Sequence, residues 1–153
     1  MKIRNYTNSD KAKIISIYDS ARRSELLLAG VPHGFVSLTD EATFSFLMES
    51  TIIVAEISNR IVGFAAYDTD TLGWLYVSPV HAHEGIGTLL AKKAIENIKN
   101  TGASPVKINV LKGNAPALSL YSKLGFKVVK TAIGEFPGSG VSVGVICMEL
   151  SYH

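Results

Sequence analysis

The sequence predicts a single mixed α/β domain, and three observations carry that expectation. Short apolar runs rich in β-branched residues alternate with longer segments whose apolar residues recur every three to four positions. The central runs are joined by brief polar connections, which is the pattern of a hairpin-rich sheet. A chain of 153 residues with 47% apolar and 18% charged side chains supplies one packed core, so residues 1–153 are expected to form one domain.

Residues 1–6 alternate enough for a first strand. Asn8, Ser9 and Asp10 offer side-chain oxygens for capping a helix, and Ile14, Ile15, Ile17, Tyr18 and Ala21 follow at helical spacing up to Arg22-Arg23. Residues 25–38 read as irregular, broken by Gly30, Pro32 and Gly34. A second helix starts around Leu38-Thr39-Asp40, with Phe44, Leu47 and Met48 on one face. Residues 51–57 and 61–67 are β-rich runs joined by Ser58-Asn59-Arg60 as a hairpin. A third run, 72–77, follows the turn at Asp68-Thr69-Asp70 and ends before Pro79, which has no amide hydrogen.

Residues 85–100 give a strongly amphipathic helix, with Ile86, Leu89, Leu90, Ala94, Ile95 and Ile98 as its stripe and Gly102 as its stop. Residues 106–111 form the next strand. Asn114 caps a short helix that runs to Leu124 and is closed by Gly125. Strands over 126–133 and 141–150 flank a loop at 134–140. The order is β-α-α-βββ-α-β-α-ββ, with about seven strands and four helices. Phe44, Phe46, Phe64 and Trp74 are expected in the core.

Composition narrows the function classes. A net charge of +2 does not suggest a nucleic-acid protein, although a slight cationic excess helps attract a polyanionic ligand. No apolar run approaches the roughly 18 residues of a spanning helix, so no membrane partner is expected. The N-terminal residues lack the apolar stretch and cleavage site of a signal peptide, and a cytoplasmic protein is the default expectation. Cys147, the sole cysteine, excludes an internal disulfide or a multi-cysteine zinc site and reads as a small core residue.

Gly85-Ile86-Gly87-Thr88 stands between a strand and the long helix. First-turn amides have no partner within the helix, and the helix dipole places partial positive charge there. Glycine lets that backbone approach a phosphate closely. Many helices start with glycine for structural reasons alone, so the turn by itself leaves both readings open. The dinucleotide fingerprint needs a third glycine where this chain has Leu90, and no P-loop sequence occurs.

Three segments together are more specific: Leu75-Tyr76-Val77-Ser78-Pro79, then Gly85-Ile86-Gly87-Thr88-Leu89-Leu90, then Asn114-x-x-Ala117-x-x-Leu120-Tyr121-x-Lys123-Leu124-Gly125-Phe126. In order and spacing they resemble the GNAT superfamily of N-acetyltransferases across almost the whole chain. The resemblance implies a mostly antiparallel central sheet and acetyl-CoA as cosubstrate. It implies that the strand at 72–77 splays from the one at 106–111, with pantetheine in the gap near the main chain of Leu75 and Val77. The pyrophosphate would take the segment Ala82, His83, Glu84, Gly85, Ile86, Gly87 and Thr88. Asn114 and Ala117 would border the pantetheine arm, and Tyr121 falls on the tyrosine that commonly protonates the leaving thiolate. The family usually carries Gln or Arg three residues before the first glycine; here it is Ala82, which removes one side-chain phosphate contact. His83 is the candidate replacement donor, against the simpler reading of His81 and His83 as solvated loop residues.

Direct transfer needs a neutral amine, a polarised thioester carbonyl and a proton for the thiolate. Tyr121 suits the last task, because a phenol holds its proton more tightly than a thiol, although it could equally pack one face of a short helix. Some family members have a Glu base where this chain has Thr71. Asp68, Asp70, Glu135, His33 or water remain as candidates. The acceptor pocket is expected between residues 26–36 and the loop Gly134-Glu135-Phe136-Pro137, and its apolar character favours a small, partly apolar amine over a highly charged substrate; a small molecule is expected as acceptor ahead of a protein. A protein or peptide amine, or an acyl-CoA-binding module without turnover, are the alternatives. The apolar last strand could also support a homodimer.

Two further motifs carry little. Gly140-Val141-Ser142-Val143-Gly144 matches a nucleophile elbow but sits in an alternating strand, with His153 as the sole later histidine. His81-x-His83-Glu84 lacks the three well-spaced ligands of a catalytic metal, so no metal is expected.

Overall fold

The chain runs β1 (Lys2–Asn5), α1 (Lys11–Leu28), α2 (Glu41–Met48), β2 (Thr51–Ile57), β3 (Arg60–Tyr67), β4 (Thr71–Val77), α3 (Ile86–Asn100), β5 (Val106–Leu111), α4 (Ala115–Lys123), β6 (Lys127–Glu135) and β7 (Ser142–Leu150). The structure, a computed structural model, describes residues 1–135 and 139–152. All seven strands join one sheet in the order β1-β2-β3-β4-β5-β7-β6. Every neighbouring pair is antiparallel except β4–β5, which is parallel. The element order is the one expected from the sequence.

The sheet is covered on both faces, which is why β2 and β3 read as almost unbroken apolar runs. On one face the α3 stripe packs Ile86, Leu90, Ala94 and Ile98 against Ile53, Ala65, Leu72 and Val106. On the other, Ile14, Ile17 and Tyr18 of α1 and Leu47 of α2 cover Ile52, Val54, Phe64 and Ala66. Adjacent residues such as Ile53 and Val54 therefore serve opposite layers. Burying a side chain such as Leu90, which is fully enclosed, is worth roughly 2 kcal/mol.

Several boundaries differ from expectation. Helix α1 continues through Glu25 to Leu28, beyond the Arg22-Arg23 stop read from the sequence. Leu26 holds that extra turn by burying itself against Leu111 and Val143, so tertiary packing overrode the nearby breakers. Asp10 does not cap α1 with its side chain. Its carboxylate instead accepts from the Thr7 amide at 2.9 Å and from Arg4 at 2.8 and 2.9 Å. Helix α2 begins at Glu41, capped by Asp40, which accepts from Thr43 N at 3.0 Å. Phe46, expected in the core, is 57% exposed, and Met48 and Leu89 are also exposed. Cys147 is half-buried.

Candidate active site

The site begins where two neighbouring strands stop pairing. β4 and β5 are in register only at Thr71–Lys107 and Leu72–Ile108. Beyond Leu72 the two strands part, and the β4 edge facing β5 is left without a strand partner. The splay implied by the family resemblance is thus present. Its onset coincides with a bulge: on β3, Tyr67 pairs with Leu72 and Ala66 with Trp74, so Gly73 has no opposite number. One extra residue flips the side chains that follow. Leu72, Leu75 and Val77 accordingly share the α3 face, whereas Trp74 and Tyr76 turn to the α1 face.

The splay opens into a cleft of about 390 Å³. Leu75 and Val77 form one wall, and Asn114, Ala117 and Tyr121 of α4 and its cap form the opposite one. At one end lie Ala82, His83, Gly85, Ile86, Gly87 and Thr88. The sequence-predicted residues are therefore brought together, with the exception of Glu84. That side chain is half exposed and faces Nδ1 of His81 at 3.3 Å.

The glycine-rich end is built for free amides. The first bond of α3 runs from Leu89 N to Gly85 O at 3.2 Å, so the amides of Ile86, Gly87 and Thr88 have no acceptor within the helix. Gly85 caps α3 in the left-handed region, with φ of 81°. A Cβ there would meet nothing within 4 Å, so conformation rather than space calls for glycine. His83 also has positive φ, 65°, a strained arrangement for a residue with a side chain. Ala82 N donates to Pro79 O at 3.2 Å and is already engaged.

At the other end Tyr121 is 5% exposed, its ring edge-on to Phe126 at 5.7 Å. Burial, reinforced by the Glu25 carboxylate, pushes the Tyr121 phenol well above its usual range. Glu25 belongs to the turn of α1 that the sequence did not reveal. Its Oε1 accepts from Arg22 Nη1 at 2.6 Å and from the Tyr76 hydroxyl at 3.2 Å, while Oε2 accepts from Asn114 Nδ2 at 2.9 Å. Tyr76 is driven upward too, first by burial and then by the same carboxylate. The network ties α1, β4 and α4 together at the Tyr121 end of the cleft.

A second cleft, about 590 Å³, lies on the α1–α2 side. Gly73, Trp74, Tyr76 and Asn109 line both clefts and form their junction. Gly34 and Val36 from the early segment line it, but Gly134 and Glu135 do not. Phe136, Pro137 and His153 lie outside the described residues. Of the candidate bases, Asp68 lines this cleft. Asp70 is held by the Thr71 hydroxyl at 2.7 Å, which lowers its proton affinity, and lies near Lys107 Nζ at 3.5 Å. His33 and Glu135 are exposed and line neither cleft. Sequence reasoning missed Arg22, Glu25, Tyr76 and Asn109. Contacts across 50 or more positions carry no local signal, though an Arg22-x-x-Glu25 pair at helical spacing could have suggested a longer α1.

Residues 14–126 match the Acetyltransferase (GNAT) family, and the chain belongs to that family. It is 30% identical over 141 residues to an uncharacterized N-acetyltransferase of Methanocaldococcus jannaschii, a match that covers 82% of this chain and 60% of that protein. It is 29% identical to a peptidyl-lysine N-acetyltransferase of Salmonella typhimurium, with 84% of each chain covered. Among solved structures, a GCN5-related N-acetyltransferase of Rhodopseudomonas palustris superposes with a TM-score of 0.82 at 20% identity, covering 99% of this chain and 95% of that one. A Salmonella typhimurium protein solved with acetyl-CoA gives 0.74 at 21% identity, covering 100% and 95%. Among the described residues no helix is long and apolar enough to cross a membrane.

Proposed function

We propose that the protein transfers an acetyl group from acetyl-CoA to a primary amine in a direct ternary-complex reaction, with Tyr121 as general acid. The observation that carries this reading is the gap beyond Leu72, which runs from the amides of residues 86–88 to the buried Tyr121. The residues fit the cosubstrate. An unpaired strand edge suits the amide-rich pantetheine arm, and the α3 amides suit a diphosphate. Bound acetyl-CoA supplies the activated acetyl thioester. His83, strained at the mouth, is the side chain we assign to the phosphates in place of the donor missing at Ala82.

In this reaction the acceptor nitrogen bonds to the thioester carbonyl carbon and the carbon–sulfur bond breaks. Tyr121 holds a proton at Oη for the leaving thiolate. The proton lost by the amine passes to water in the open second cleft; of the candidate bases, Asp68 lines that cleft. The acceptor enters from that cleft and meets the thioester at Gly73 and Asn109. One relative is named for peptidyl-lysine. Here the walls contributed by α1 and α2 favour a small amine.

Calorimetric titration with coenzyme A, followed by thiol release from acetyl-CoA across an amine panel, tests the reading. Binding together with amine-dependent release is expected. Absence of coenzyme A binding to folded protein overturns it, and tight binding without release to any acceptor replaces it with an acyl-CoA-binding module.

A further inference from the structure

The second cleft has a chemistry that the transfer reaction itself does not require. One wall is an aromatic ladder: Phe46 to Trp74 at 6.1 Å between ring centroids, Trp74 to Tyr18 at 5.5 Å, and Tyr18 to Tyr76 at 4.9 Å. Trp74 and Tyr76 stand at the junction with the first cleft, while Phe46 lies in the second cleft alone and is left largely exposed. An exposed aromatic continuing a buried stack, beside a cavity of about 590 Å³, is a surface waiting for an apolar or cationic group.

The charges of the lining choose between those two. Asp40, Glu49 and Asp68 belong to this cleft alone, against one cation, Arg22. Arg22 is matched by Glu25 at 2.6 Å, so the cleft keeps a negative balance. Asp40 and Asp68 each use one oxygen to hold the backbone, at Thr43 N and Thr71 N respectively, and leave the other for a ligand. Aromatic faces and carboxylates both favour an organic cation, and both disfavour a carboxylate or phosphate.

We infer that the acceptor is an elongated amine with a second cationic group: one nitrogen reaches the junction at Trp74 and Asn109, and the other stays charged between the Phe46–Trp74 wall and the carboxylates of Glu49 and Asp68. This rests on the transferase reading for its location and goes beyond it in naming the acceptor class. An aliphatic diamine with an apolar linker is the simplest member. Its two ends suit the cleft in turn, since the reacting nitrogen must shed its proton and the distal one must keep it.

Three acceptors with the same carbon chain provide the test: pentane-1,5-diamine, pentylamine and 5-aminopentanoate, compared by kcat/KM for thiol release at neutral pH. The diamine is expected to exceed pentylamine by about tenfold or more, with 5-aminopentanoate poorest. Equal efficiency for diamine and pentylamine, or preference for 5-aminopentanoate, overturns the inference and leaves the transferase reading intact. If none is turned over, calorimetry of the same three amines on protein saturated with coenzyme A makes the same comparison. If coenzyme A itself fails to bind, the transferase reading falls, and titration of the amines into free protein still decides this one. The paired substitution Glu49→Gln with Asp68→Asn alters exposed side chains and keeps the Thr71 contact. It should reduce the diamine-to-pentylamine ratio about fivefold or more; an unchanged ratio removes these carboxylates from the site.

Discussion

Asn114 Nδ2 donates to Glu25 Oε2 at 2.9 Å, while its Oδ1 accepts from Ala117 N at 3.2 Å. One side chain thus caps α4 and fastens that helix to the last turns of α1. Tyr121 lies about two turns along the same helix, so the cap sets where the phenol stands relative to β4. Asn114→Ala should cost about 1–2 kcal/mol, because the cap is lost and Glu25 gives up a donor. Asn114→Asp restores the cap oxygen but sets a second carboxylate against Glu25, and it should not recover wild-type stability. Urea denaturation of both variants checks this; an Asp variant as stable as the parent would remove the tether from the account.

Gly85 makes a separate demand on the backbone. Its φ of 81° is unfavourable for any residue with a Cβ, yet the space beside it is empty. Gly85→Ala should therefore lose about 1 kcal/mol of stability. If the α3 amides hold the diphosphate, the same change should weaken coenzyme A binding severalfold by tilting them. Gly85→Asn, better tolerated in the left-handed region, should recover part of both losses. Calorimetry beside thermal denaturation separates the two effects, and a destabilised variant with unchanged affinity would detach Gly85 from the cofactor.

The glycine turn and the α3 stripe were legible because both are local. Ile86, Leu90, Ala94, Ile95 and Ile98 repeat at helical spacing, and all five are buried. Leu89 sits in the same apolar run and is nevertheless exposed, since one more position turns it past the sheet. The bulge at Gly73 had no such signature. Read at period two, Leu72, Trp74 and Tyr76 share a face, and only the register with β3 shows that Trp74 and Tyr76 face the other way. That single slip creates the second cleft's aromatic wall. Glu25 escaped notice for a related reason: its partners Tyr76 and Asn114 lie 51 and 89 positions away. The glycine-rich end of the first cleft is thus written in consecutive residues, whereas the second cleft is assembled by the sheet.

The contact between Arg4 and Asp10 makes part of the stability depend on acid. Asp10 is buried, and its proton affinity is lowered first by the hydrogen bond from Arg4, with burial opposing and the Thr7 amide assisting. A carboxyl that is more acidic folded than unfolded contributes stability above its unfolded pKa, and that contribution fades as pH falls through the folded value. Asp10→Asn should cost about 2 kcal/mol at pH 7, typical of a hydrogen bond to a charged group. Below about pH 4, the range of an ordinary aspartate, the gap between variant and parent should narrow. Denaturation curves at both pH values decide it; a gap independent of pH would mean that Asp10 acts through shape and not through charge.

Tyr121 gives the sharpest pH prediction, because burial and the Glu25 carboxylate both favour the neutral phenol. The folded pKa lies above the unfolded one, so its contribution to stability is complete below the ordinary phenol value of about 10. It is lost as pH rises from there through the folded value. If Tyr121 is the general acid proposed above, it stays loaded throughout the range in which an amine becomes neutral and should impose no decline in kcat below about pH 10. Tyr121→Phe keeps the ring against Phe126 and should lower kcat by roughly 10²-fold or more while coenzyme A still binds. Glu25→Gln removes one of the two influences on the phenol. The alkaline decline should then begin at lower pH than in the parent, though still above the ordinary phenol range, because burial persists. A pH profile of kcat for parent, Tyr121→Phe and Glu25→Gln checks the assignment; a Phe variant with parental kcat at every pH removes Tyr121 from the proton transfer.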